Sequence, residues 1–165
     1  MSDAMTEARL EDAESRIRRL EADARGSRDE KSRIDRRVEA LRKAHASVRA
    51  AARGAGSRLE DTLEELWTKL RIAEHRRAAE VALEREDFVR AVEAELRAWD
   101  TYLELQKRAA QTGAAEASTS ELTSRRNEVA RRLEDAWSAP DGVWREYKER
   151  VLQALDELDD AAGTA

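Results

Sequence analysis

Two histidines, His45 and His75, are the residues whose type most directly suggests acid-base catalysis or metal binding, because imidazole changes charge near neutral pH and ligates metals. Their neighbours fit neither role. A di-iron carboxylate bundle places Glu three residues before each inward His, whereas Arg42 precedes His45 and Ile72 precedes His75 at that spacing. His45 falls on an apolar helical stripe, opposite Trp67 in the register derived below, and is expected as a half-buried polar residue at a helix interface. His75, between Glu74 and Arg76-Arg77, is expected in solvent. The chain has no cysteine, which removes disulfides and thiolate metal sites. Carboxylates are abundant, but they spread over charged faces, and acid-base chemistry needs a pair held in a cleft. No G-x-x-x-x-G-K phosphate loop occurs. The expectation is a protein that is not an enzyme, with no catalytic residue, cofactor or metal.

Residues suited to binding are more conspicuous. Four tryptophans stand at 67, 99, 137 and 144, and Trp137 and Trp144 bracket the sole proline, Pro140. Large flat side chains beside a joint can anchor a partner, although filling the core where helices splay is the commoner use. From Arg25 to Arg53 ten basic residues face four acidic ones, and adjacent Arg36 and Arg37, with Arg33, cannot all be hidden on one narrow stripe. Such a stretch could track nucleic acid or an anionic surface. The net charge of -5 opposes that reading, as does the lack of interleaved aromatics for base stacking. Trp137, Trp144, Arg33, Arg36 and Arg37 are therefore the candidate interaction residues, and nucleic acid is not the expected partner.

The elements that position these groups are helices. Leu10, Ala13, Ile17, Leu20, Ala24, Ser27, Lys31, Ile34, Val38, Leu41, His45, Val48 and Ala52 form a 3-4-3-4 ladder, the spacing of a coiled-coil seam. Charged residues make up 41% of the chain, yet the regular apolar stripes between them argue for ordered helices over disorder. Gly54-Ala55-Gly56-Ser57 predicts the clearest break, with Ser57 and Glu60 as a capping box. A second break is predicted at 111–118, closing on Ser118 and Glu121, and a third at Pro140. Ser27 and Glu30 behind Gly26 could also cap a helix. The heptad phase nevertheless runs through them, which predicts a continuous helix with a soft spot.

The resulting map has helices over about 3–53, 58–111, 120–138 and 141–161 in one elongated domain spanning 1–165. The first two would each be roughly 75 to 80 Å long. Folding the second back on the first places Val48 by Leu63, Leu41 by Leu70, Leu20 by Val92 and Ile17 by Ala94, with Leu10 at an open end opposite Thr101 and Tyr102. The last two helices would run back along the second, with Leu133 by Leu96 and Trp137 by Val92. The predicted fold class is all-α: an elongated antiparallel coiled-coil hairpin or up-down-up three-helix bundle with its third helix kinked at Pro140. It resembles a stretched spectrin-like bundle in architecture alone.

The N-terminus carries no basic-then-apolar signal and no long apolar run follows, so a cytoplasmic location without a transmembrane segment is expected. Only five of the 31 basic residues are lysine, a bias typical of GC-rich bacterial genomes. The functional expectation is a coiled-coil scaffold or adaptor working through protein-protein contacts and self-association as a homo-oligomer.

Overall fold

The computed structural model describes residues 3–23, 28–54, 59–111 and 119–163. Its regular structure consists of α1 (Asp3–Ala22), α2 (Arg28–Arg53), α3 (Leu59–Val81), α4 (Arg85–Gln111), α5 (Thr119–Ser138) and α6 (Trp144–Ala162), with no strand among the described residues. The chain is all-α, as its periodicity predicts. Its contacts divide it into two compact units, Met1–Ala73 and Glu74–Ala165, with the boundary inside α3. Among the described residues no helix is long and apolar enough to cross a membrane.

In the first unit the ladder is the buried face from Leu10 to Leu20 and from Ile34 to Val48, whereas Lys31 and Ala52 are exposed and Ala24 and Ser27 lie outside the described residues. α1 buries Thr6, Leu10, Ala13, Ile17 and Leu20, and α2 buries Ile34, Val38, Leu41, His45 and Val48. The two stripes face each other across antiparallel helices. His45 Nε2 lies 3.1 Å from the Leu10 carbonyl oxygen, and Arg42 donates to Glu14 at 3.1 Å and to Glu21 at 2.8 Å. In one straight helix residues 10 and 45 would stand about 52 Å apart. The expected continuous helix over 3–53 is thereby corrected to a hairpin. A heptad phase states which face is apolar, and two short antiparallel helices satisfy it as well as one long helix does.

Leu63, Leu66, Leu70 and Ala73 of α3 complete this core, with Leu59 and Trp67 packed at its edge. Val48, Leu63, Leu41 and Leu70 thus share one core. Ile17 and Leu20, expected beside Ala94 and Val92, belong to that same core of the first unit, and Leu10, expected at an open end, is buried within it. The predicted caps at Ser27, Ser57 and Ser118, with Gly26, Gly56 and Gly113, lie outside the described residues.

In the second unit the predicted helix over 58–111 is interrupted at 82–84, where the sequence Ala82-Leu83-Glu84 holds neither glycine nor proline. Tertiary partners explain the break. Arg76 and Glu95, which would be about 28 Å apart along one helix, approach to 2.6 Å. Ending α3 at Val81 frees C-terminal carbonyls, and Lys148 of α6 donates to those of Glu80 (3.1 Å) and Ala82 (2.7 Å). α4 restarts with the Phe88 amide bonded to the Glu84 carbonyl at 3.1 Å. Glu86 and Asp87 in its first turn suit the positive end of the helix dipole.

α5 lies antiparallel to α4, tied by Arg126 donating twice to Asp100 at 2.9 and 3.1 Å. At Pro140 the chain reverses where a kinked, continuing helix is predicted. Arg132 of α5 reaches the Arg150 carbonyl of α6 at 3.3 Å, and Arg125 reaches Glu157 at 3.4 Å. Proline at a turn loses no helical hydrogen bond, and the Val143 amide closes that turn on the Pro140 carbonyl. Phe88, Val92, Trp99, Leu122, Val129, Leu155 and Leu158 have no measurable exposure and form the core of this unit. Gly163, at φ +69°, caps α6 by donating to the Asp159 and Asp160 carbonyls, a left-handed conformation that glycine adopts without strain.

Candidate interaction surface

The strongest polar constellation is internal. Arg76, 1% exposed, donates through Nε to both Glu95 oxygens at 3.0 Å and through Nη2 to Oε1 at 2.6 Å. Its Nη1 donates to Asp159 at 2.8 Å and Asp156 at 3.1 Å, and Nη2 also reaches the Leu155 carbonyl at 3.3 Å. Trp99 donates its indole N–H to Glu95 at 3.1 Å and meets Tyr102 edge to face. Three helices, α3, α4 and α6, converge on one guanidinium.

Burial pushes the Glu95 carboxyl above its ordinary range and the charge of Asp159 adds to that, against the opposing pull of Arg76 and Trp99. Burial alone would lower the Arg76 value, but the Asp159 and Glu95 carboxylates outweigh it and hold the guanidinium charged. Among the described residues no buried side-chain nitrogen or oxygen lacks a hydrogen-bond partner. With its donors and acceptors engaged among themselves, this cluster locks packing. Sequence reasoning placed Arg76 only within a charged run. The available signal was its spacing, since Arg76 continues the buried ladder of Ala73 and Ala79 while Glu95 lies between Val92 and Trp99 on the buried face of α4.

The candidate residues fall in different settings. Trp137, expected against Val92, is 54% exposed on the last turn of α5, off the stripe of Leu122, Val129, Leu133 and Ala136 that this helix buries. Trp144 begins α6 half-buried, its ring 6.2 Å from Phe88 and 5.9 Å from the Arg85 guanidinium. Arg36 is exposed, while Arg33 and Arg37 are half-buried. The structure brings the two tryptophans to one turn, and the three arginines share one side of α2 in the other unit. Trp99 and Trp67 take structural positions: Trp99 is fully buried, and the Arg16 guanidinium stacks 4.7 Å from the centre of the Trp67 ring. His45 is buried against α1 as described, and His75 is half-buried with a bonding partner, less solvated than its neighbours suggest.

The α3–α4 and α5–α6 turns are fastened to each other by two cations that cap helix ends. Lys148 holds the end of α3, and Arg85 donates to the carbonyls of Trp137 (3.0 Å) and Ala139 (2.7 Å) and to Asp141 (3.0 Å). Burial lowers the Lys148 pKa, and its ammonium also sits 5.5 Å from the centre of the Phe88 ring. The consequence is a shared end of the second unit that displays Leu83 (75% exposed), Val81 (52%) and Trp137. Leu83 is framed by Ala82, which Lys148 grips, and by Arg85, which grips Trp137. The other large apolar side chain left exposed among the described residues is Met5. No protein-family model, curated protein or solved structure matches this chain.

Proposed function

We propose that this protein works without catalysis, as a helical scaffold or adaptor acting through protein-protein contacts and self-association. The observation that supports the reading is the end of the second unit, where Val81, Leu83 and Trp137 remain exposed on turns held firmly by Arg85 and Lys148. Exposed aromatic and aliphatic side chains on a rigid support lose little entropy on docking, which is how interface hot spots concentrate binding energy. Sedimentation velocity over micromolar to millimolar concentration tests it. Mass should rise with concentration in the parent protein and stay monomeric in Leu83→Glu/Trp137→Ala. A monomer throughout for the parent contradicts self-association.

A competing reading, phosphate-backbone tracking by residues 25–53, is favoured by the exposure of Lys31, Arg36 and Arg49 on α2. Binding to a DNA duplex in about 50 mM salt that collapses steeply by 200 mM would support it. No binding at the lower salt removes it.

A further inference from the structure

We infer that the exposed end of the second unit docks on the basic face of α2 in a second copy of this chain, a proposal that rests on the self-association reading and names the surfaces used. The two surfaces are complementary in charge. Around Val81, Leu83 and Trp137 stand Glu84, Glu86, Asp87, Glu134, Asp135 and Asp141, all exposed. Two of these carboxylates are paired, Glu86 with exposed Arg90 at 2.9 Å and Asp141 with Arg85, while Arg85 and Lys148 are otherwise spent on backbone carbonyls and leave Glu84, Asp87, Glu134 and Asp135 to dominate the rim. The apolar patch therefore has an acidic rim.

α2 supplies the counterpart. Its core face is Ile34, Val38, Leu41, His45 and Val48, so helical spacing puts Arg33, Arg36 and Arg37 together on one flank of that face, Arg36 exposed and the other two half-buried, with half-buried Ala40 one turn further on. A small alanine, Ala40, beside guanidinium groups makes a shallow acceptor for an indole ring, and Arg over Trp adds cation–π attraction. Arginine is also weakly hydrated, which lowers the cost of drying such a contact. The contact is heterologous: each chain carries one patch and one basic face, so the surface used by one copy differs from that used by its neighbour.

That asymmetry makes a decisive mixing experiment. One variant, Leu83→Glu/Trp137→Ala, loses the patch and keeps α2 intact. The other, Arg33→Glu/Arg36→Glu, loses the basic face and keeps the patch; Arg37 is left in place because it already has a partner within its own chain. Circular dichroism verifies that both remain helical, and Leu83→Ala with Arg36→Gln serve as milder replacements if either does not. Each variant alone should weaken association roughly tenfold or more. Mixed in equal amounts, they should form a species of two chains and nothing larger, because one intact patch then meets one intact face. Association of the parent should also weaken as salt rises from about 50 to 500 mM.

If the basic-face variant associates like the parent, this pairing is overturned while docking through the patch stands. If the patch variant associates like the parent, both the pairing and the patch reading fall. If both variants are monomeric and their mixture is too, the two surfaces do not meet and the inference is overturned.

Discussion

The two units of this chain hold their helices together in different ways. The first is closed by an aliphatic ladder: α1 and α2 face each other through alternating Leu, Ile, Val and Ala, with His45 bonded to a backbone carbonyl as the main polar intrusion. The second is closed around a buried charge, since Arg76 joins α3, α4 and α6 through Glu95, Asp156 and Asp159. An apolar ladder tolerates sliding and truncation in proportion to the volume lost. A buried ion cluster is satisfied only in one arrangement and fails abruptly when one member is removed. The second unit is also the one whose end displays Val81, Leu83 and Trp137 on turns held by Arg85 and Lys148.

The largest effect should come from breaking the buried cluster. Arg76→Met leaves Glu95 uncompensated in a site with no exposure and should cost about 3–5 kcal/mol in denaturant unfolding. Adding Glu95→Leu should recover part of that loss, because the fully buried carboxylate is then gone and, of the buried carboxylates, only Asp159, 8% exposed, still loses the guanidinium. If the double variant is no more stable than the single one, the cluster is held by something other than charge compensation.

In the first unit the loss should be graded. Leu10→Ala and Leu41→Ala, 5% and 2% exposed, should each cost about 2–5 kcal/mol and should cost similar amounts. The open-end geometry expected from sequence would spare Leu10. Thermal melts of the two variants separate these outcomes: a small loss at Leu10 beside a large one at Leu41 would restore the long-helix register.

Removing a turn clamp should be milder. Lys148→Met keeps the apolar stem over Phe88 but leaves the Glu80 and Ala82 carbonyls without their donor, at about 1–2 kcal/mol. Amide hydrogen exchange should quicken first around 80–86. Unchanged exchange there would mean the break in the helix does not depend on this cap.

The smallest effect is a pH response in the first unit. Burial pushes the Glu14 carboxyl up, but hydrogen bonds from Arg42 and Arg18 outweigh it and hold it below the reference value of 4.5. Its contribution is therefore complete above that reference and is lost as pH falls through the lower value of the folded state. Arg42→Ala, which leaves the Arg18 bond in place, should reduce this acid-side dependence and change stability by less than about 1 kcal/mol, as befits a partly exposed pair. An unchanged acid transition in that variant would show that the pair does not contribute.

What could be read from the sequence follows the same division. From Leu10 to Leu20 and from Ile34 to Val48 the buried faces of α1 and α2 are legible in the sequence, because apolar spacing reports on burial, whereas Lys31 and Ala52 keep the spacing and are exposed. The reversal between Asp23 and Arg28 was hidden by the heptad phase, which is the same for one long helix and for two short ones that pack on each other. The break after Val81 carries no glycine or proline, so only its distant partners reveal it: Lys148 lies 66 residues away from Ala82. Arg76 and Glu95 continue the buried spacing of Ala73, Ala79, Val92 and Trp99, but their charge masks that signal, since burial is read first from apolar residues. Trp137 and Trp144 bracket the proline joint in the sequence, but the exposure of Trp137 follows from its place beside the buried face of α5, Leu122, Val129, Leu133 and Ala136.

The central claim about the fold is that the ladder closes on itself within one chain, and a single distance tests it. Because the chain lacks cysteine, Glu11→Cys/Ala46→Cys accepts two spin labels at exposed sites on α1 and α2, and dilution with unlabelled protein isolates the intrachain pair. Double electron-electron resonance should give a distance on the order of 20 Å, that of helices packed side by side with their label arms. A distance on the order of 50 Å, the span of 35 residues along one helix, would contradict the hairpin.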